Sequence, residues 1–175
     1  MTANPQQADR PASLRDRVAA SHRTAVILVV AFTMSIVIYA GVGVLILGVR
    51  GGSPQAELPY PFYAAAAALA IGSIVIRRAQ LSSTRLEVVA GTHGVDGLIK
   101  HLANATIIAA ALAEVIGMLA LVVAFFGGSP ADVIRLGLVA MVVSLYNYPR
   151  RSAWQRAVDY FAATMPGARE SKLGL

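Results

Sequence analysis

A chain of 175 residues that is 57% hydrophobic and only 14% charged has too little charge to cover a soluble domain of its size. Its mean hydropathy of +0.63 points to a bilayer instead. The absence of cysteine excludes disulfides, thiolate metal sites and thiol nucleophiles, and the three histidines (His22, His93, His101) lie apart without metal-ligand spacing, so neither a metal nor any other cofactor is expected.

Residues 1–23 form a polar N-terminal segment with Pro5 and Pro11 near its start, in which "SLRDRVAASHR" can form a short surface helix. The apolar stretch that follows is too long for a signal-peptide core. A hydrocarbon core of about 30 Å takes about 20 mostly apolar residues in a helix. By that measure the first span is "AVILVVAFTMSIVIYAGVGVLILGV", residues 25–49. A Gly/Pro turn, "RGGSPQAELP", leads to the second span at 60–76, "YPFYAAAAALAIGSIVI", whose aromatic start suits the membrane interface. The link at 77–101 is polar and predicted to be helical at both ends. The third span covers 102–126, "LANATIIAAALAEVIGMLALVVAFF"; the turn "GGSP" and a fourth span at 131–148 follow. In the tail, 149–175, Trp154, Val158 and Phe161 fall near one helical face. That pattern predicts an amphipathic helix lying on the membrane surface, or else docked on a partner. The expected fold is all-α: a polytopic integral membrane protein with a four-helix transmembrane domain over 24–148.

Lys and Arg then give the orientation. Thirteen of the fifteen lie in the N-terminal segment, the 77–101 link and the tail, while Arg50 and Arg135 alone fall on the opposite side. By the positive-inside rule both termini and the link are cytoplasmic, and a bacterial inner membrane is the expected location. The net charge of +6 is then a mark of topology and of attraction to anionic lipid, not of nucleic-acid binding.

Apolar helices in lipid associate through close backbone approach. Ala109, Ala113 and Gly117 stand four apart on the third span, and Gly72 sits among the alanines of the second, so these residues are predicted contact points. The first and fourth spans are bulkier and read as lipid-facing, which centres the expected bundle on spans two and three.

Glu114 lies near the middle of the third span. An ionised carboxylate at that depth costs several kcal/mol at least, and such residues usually face a bundle interior or a polar cavity. The uncharged acid is therefore the expected form, able to donate a hydrogen bond and to exchange a proton with a wet or charged partner. Its helical face carries Ala103, Ile107, Ala110, Gly117, Met118 and Leu121, none able to relay a proton. His101 and Asn104 point about 140° and 80° away on an ideal helix. Thr33, Ser35 and Tyr39 of the first span lie at similar depth and are the candidate hydrogen-bond partners. With no paired carboxylates at depth, no Ser/His/Asp grouping and no phosphate-binding loop, no enzyme is expected.

The stretch from "AAAALAIGSIV" through the polar link to "ATIIAAALAEVIGMLALVVAFF", about residues 64–128, resembles the hairpin of the rotor-ring c subunit of rotary ATP synthases. In that family a small-residue helix leads through a cytoplasmic loop to a second helix bearing one ion-binding carboxylate. The resemblance implies that Glu114 carries the ion and that a separate membrane subunit supplies its access paths. The chain departs from the family in three ways: its glycine repeat is reduced to Gly72, the loop lacks the Arg-Gln/Asn-Pro motif, and spans one and four, neither with a central acid, have no place in a hairpin subunit. Two functions are expected from this reading. One is a membrane subunit whose Glu114 binds a proton within an ion-translocating or energy-coupling complex, beside a membrane-protein partner or further copies of itself. The other is a non-catalytic accessory or assembly protein in which protonated Glu114 is a structural hydrogen bond.

Overall fold

The computed structural model describes residues 14–50 and 59–164, and these are helical almost throughout. The five helices are α1 (Leu14–Arg50), α2 (Pro59–Gln80), α3 (Ser83–Phe125), α4 (Pro130–Tyr146) and α5 (Arg151–Thr164). Four helical stretches, the last beginning with α4, are long and apolar enough to cross a membrane. The segment before residue 14, the 51–58 connection and the tail after 164, with Arg10, Arg169 and Lys172, lie outside the described residues.

Helix α1 runs for 37 residues without an internal proline. At 1.5 Å per residue it is about 55 Å long, well beyond the apolar thickness of a bilayer. The predicted span is thus continuous with the "RDRVAASHR" segment before it. Ile27, Met34, Ile38 and Leu45 are each more than half exposed, and their spacing puts them along one outer stripe.

The 77–101 link is more helical than its composition suggests. Helix α2 continues to Gln80, the chain turns at Leu81 and Ser82, and α3 begins at once. Besides that turn the link is interrupted at Gly94, inside α3, at φ 65° and ψ −169°. That left-handed φ is accessible to glycine at little steric cost, so it divides α3 into a short first piece and a long apolar second one. Helix α3 ends in a Schellman turn, with the Gly128 N–H donating to the Val123 carbonyl at 2.9 Å and that of Gly127 to Ala124 at 3.3 Å. Ser129 caps α4 in a capping box with Asp132, and Pro130 opens the helix.

Two cores result. The first gathers Ile36 of α1, Ala66 of α2, Ala113, Ile116, Ala120 and Val123 of α3, and Val133, Leu136 and Ala140 of α4. The bundle is therefore centred on α3, which packs against α1 most extensively, then α4 and α2. This corrects the expectation that α2 and α3 form the centre while α1 and α4 face outward. Alanines allow close approach but bury little area each, so among residues 60–80 α2 buries Ala66 and Ser73 alone, while Ala64, Ala65, Ala67 and Ala68 stay exposed. The larger side chains of α4, Val133, Leu136 and Val143, fill the space beside α3.

The predicted contact residues divide. Ala109 and Ala113 are fully buried. A Cβ at Gly117 would lie 2.9 Å from Ile36 Cγ1 and 3.3 Å from its Cα, so α1 and α3 meet there. Gly72 is not a contact: a Cβ there would find no heavy atom within 4 Å. The α1–α4 approach, missed in sequence, falls at Gly43 against Val133 and Gly137 against Ala40.

The second core lies at the other end of the long helices. Val18 and Ala25 of α1, Leu86, Leu98, Ile99 and Leu102 of α3, and Trp154, Val158 and Phe161 of α5 pack together. The apolar face of α5, expected on the membrane surface, is covered by the protein itself. Trp154 is 5% exposed and Val158 1%. Arg17 of α1 forms an ion pair with Asp96 of α3 at 2.8 Å across this head, and His22 sits edge-on to Trp154 with centroids 5.4 Å apart. The described ends of three polar pieces of the sequence, residues 14–23, the 77–101 link and residues 151–164, meet here through α1, α3 and α5.

Candidate functional site

Glu114 sits on α3 one residue after fully buried Ala113 and three before Gly117, which packs on Ile36. Its other neighbours look outward: Val115 is 40% exposed and Met118 47%. Glu114 is itself partly exposed. It therefore occupies the edge of the α1–α3 seam and not the bundle interior expected for it.

One hydrogen bond reaches it among the described residues. The Tyr39 hydroxyl of α1 donates to Glu114 Oε1 at 3.3 Å. That is long for an O–H···O bond, which normally falls between about 2.5 and 3.0 Å. The bond orients the carboxyl group without enclosing it.

The other two candidate partners are engaged elsewhere. Thr33 donates to the Val29 carbonyl at 2.7 Å and shares a 2.7 Å hydrogen bond with Ser144 of α4. Ser35 donates to the Ala31 carbonyl of its own helix at 3.2 Å. Reach separates the three. A tyrosine extends its hydroxyl across the seam, whereas a short serine hydroxyl finds the carbonyl four residues back first. His101 bonds the Gln80 carbonyl at 3.0 Å, and Asn104 is exposed on another face. Among the described residues Glu114 thus has a holder and no relay.

Two further polar clusters were not anticipated from sequence. At the α3–α4 turn, the Tyr63 hydroxyl of α2 donates to Asp132 Oδ1 at 2.7 Å, and Asp132 also completes the cap with Ser129 and lies 3.6 Å from Arg135. This carboxylate is satisfied on every side and serves to hold α2 to α4. At the opposite end Asn147, 1% exposed, donates to Ser73 Oγ at 2.8 Å. Ser73 in turn donates to the Ala109 carbonyl at 3.5 Å. Arg77 reaches the Tyr146 carbonyl and Asn147 Oδ1 and lies over the Tyr146 ring, 5.2 Å from its centroid. The sequence signal for this cluster was slight: two arginines ending an apolar run and an Asn two residues before Pro149.

No grouping of His, Cys, Asp or Glu able to hold a metal ion occurs among the described residues. No protein-family model, curated protein or solved structure matches the chain. The hairpin expected from the sequence would comprise α2 and α3, whereas the hydrogen bond to Glu114 comes from α1, outside any such hairpin.

Proposed function

We infer that this chain is a polytopic membrane subunit that presents Glu114 laterally, at mid-span, as a protonatable acid within an ion-translocating or energy-coupling complex. Both termini and the α5 head then face the cytoplasm, and a bacterial inner membrane is the location. The observation that carries the reading is the position of Glu114: a partly exposed residue at the edge of the α1–α3 seam, beside uncovered Val115 and Met118. An acid there is reachable by a neighbouring membrane subunit or by a second copy of this chain. Its one tyrosine contact is long enough to leave it open to exchange. The lack of a relay among the described residues fits a division of labour in which the neighbour supplies the proton path.

The membrane setting has its own support. The outer stripe of α1 is apolar and uncovered, and contacts among α1, α3 and α5 bring the described parts of the basic N-terminal, link and tail segments to one end of the bundle.

The Tyr39 bond itself favours a second reading. It joins α1 to α3 across the most extensive helix–helix contact in the fold. On that reading the chain is an accessory or assembly protein, and protonated Glu114 fixes helix packing. Glu114→Gln separates the two, because the amide keeps a hydrogen-bond acceptor and cannot exchange a proton. On the first reading the variant assembles normally and abolishes proton-coupled activity in the host membrane. Normal assembly with that activity intact excludes the first reading and leaves the second.

A further inference from the structure

A cavity of about 270 Å³ opens where α2, α3, the α4 end and α5 meet. Its walls are mostly apolar, with Leu81, Leu86, Leu102 and Trp154 among them, and Arg77, Arg150, Thr106 and Asn147 contribute its polar lining. A shallower hollow of about 490 Å³ adjoins it and shares Arg77, Leu81 and Arg150, adding Arg78 and Tyr146. Three guanidinium groups thus surround two connected hollows. Among the described residues the ion pairs are Arg17 with Asp96 and Arg135 with Asp132, so no carboxylate balances Arg77, Arg78 or Arg150. Both hydrogen bonds made by Arg77 use Nη1, toward Tyr146 and Asn147. Its Nε and Nη2 remain available, and Arg78 and Arg150 are exposed.

Uncompensated arginines favour a phosphate, which their planar forks can grip with two parallel hydrogen bonds. A free phosphate would leave the leucine- and tryptophan-lined part of the cavity unused. Basic hollows between helices at the cytoplasmic edge of a bilayer suit anionic lipid head groups. We propose that the Arg77–Arg78–Arg150 cluster and the adjoining cavity form a binding site for one anionic phospholipid, its phosphate on the arginines and the start of an acyl chain between Leu86, Leu102 and Trp154. The site rests on the membrane reading of the fold and is independent of any role for Glu114. It also gives a use to the docking of α5, because Trp154 forms one wall of the cavity and belongs to the second core.

The test is native mass spectrometry of the full chain released from nanodiscs containing phosphatidylglycerol and phosphatidylcholine in equal amounts, with glycerol 3-phosphate and inorganic phosphate as soluble competitors. Separate alkaline extraction of host membranes reports whether the chain is embedded at all, so failure of the membrane reading is recognised independently. The expected result is one retained phosphatidylglycerol per chain, with weak competition by either soluble phosphate. In the Arg78→Gln/Arg150→Gln variant, which leaves the bonds of Arg77 intact, retention weakens by roughly tenfold or more, from about 1 kcal/mol per surface arginine. Ala153→Trp, placed to fill the apolar part of the cavity, lowers retention with all three arginines present. Equal retention of the two lipids, full displacement by inorganic phosphate, or unchanged retention in the double variant would overturn the proposal.

Discussion

The Tyr39 hydroxyl, on α1, approaches Glu114 Oε1, on α3, to 3.3 Å, and no other hydrogen bond reaches that carboxyl group among the described residues. This pair makes the acid a property of two helices: α3 supplies the carboxyl group and α1 aims it. Removing the hydroxyl should therefore free the acid without unfolding the bundle. Tyr39→Phe is expected to cost about 0.6 kcal/mol, the mean for hydrogen bonds between membrane helices, and to increase carbodiimide labelling of Glu114. Detergent-phase unfolding and peptide mapping measure the two effects on one sample. Loss of the fold in Tyr39→Phe would instead favour the structural role of Glu114.

Gly117 and Gly72 should behave in opposite ways. A side chain at Gly117 meets Ile36 at 2.9 Å, so Gly117→Leu drives α1 away from α3. Overpacking of this kind costs about 1–3 kcal/mol and should appear as a lowered thermal midpoint. Gly72 has open space where a Cβ would go, and Gly72→Ala is expected to be neutral or to stabilise by up to about 1 kcal/mol through helix propensity.

Trp154 anchors α5 to the head against Val18, Leu98 and Leu102. Truncation to alanine removes about 3 kcal/mol or more of packing. The loss falls on the second core, while Ile36, Ile116 and Leu136 belong to the first. In Trp154→Ala, limited proteolysis should therefore cut α5 from the rest while the long helices resist. Simultaneous digestion of α1 and α4 would show that the two cores unfold together.

Orientation is accessible because the chain has no cysteine. Single substitutions Asp96→Cys, in the head, and Arg135→Cys, near the start of α4, place one thiol at each end of the bundle. A membrane-impermeant maleimide applied to intact cells should label Arg135→Cys, and label Asp96→Cys only after the membrane is opened. The reverse pattern would contradict the orientation drawn from the arginines.

Much of this fold is legible in the sequence because long apolar helices announce themselves by length and composition. Helices α1 to α4 lie where the apolar runs predict them, and the alanine–glycine spacing at Ala109, Ala113 and Gly117 marks buried positions. Register between helices is harder to read, because it depends on which pairs meet across a seam. Gly72 looked equivalent to Gly117 in composition yet faces open space, and Gly43 and Gly137 find their partners only once α1 lies beside α4. The head was hidden for a related reason. Its side chains come from three polar segments far apart in the chain, each too short to show a core of its own. At Glu114 the sequence supplied the acid and three hydroxyl candidates at similar depth, and reach across the seam selected Tyr39.

The central claim is that Glu114 is an accessible acid that exchanges its proton. A hydrophobic carbodiimide reacts with the protonated carboxyl group, so the most direct measurement is labelling of the protein in membranes over a pH series, with the adduct mapped by mass spectrometry. The account predicts modification at Glu114 that declines as pH rises and is absent in Glu114→Gln. Absence of modification at Glu114 at every pH, with other carboxyl groups labelled in the same sample, would contradict it.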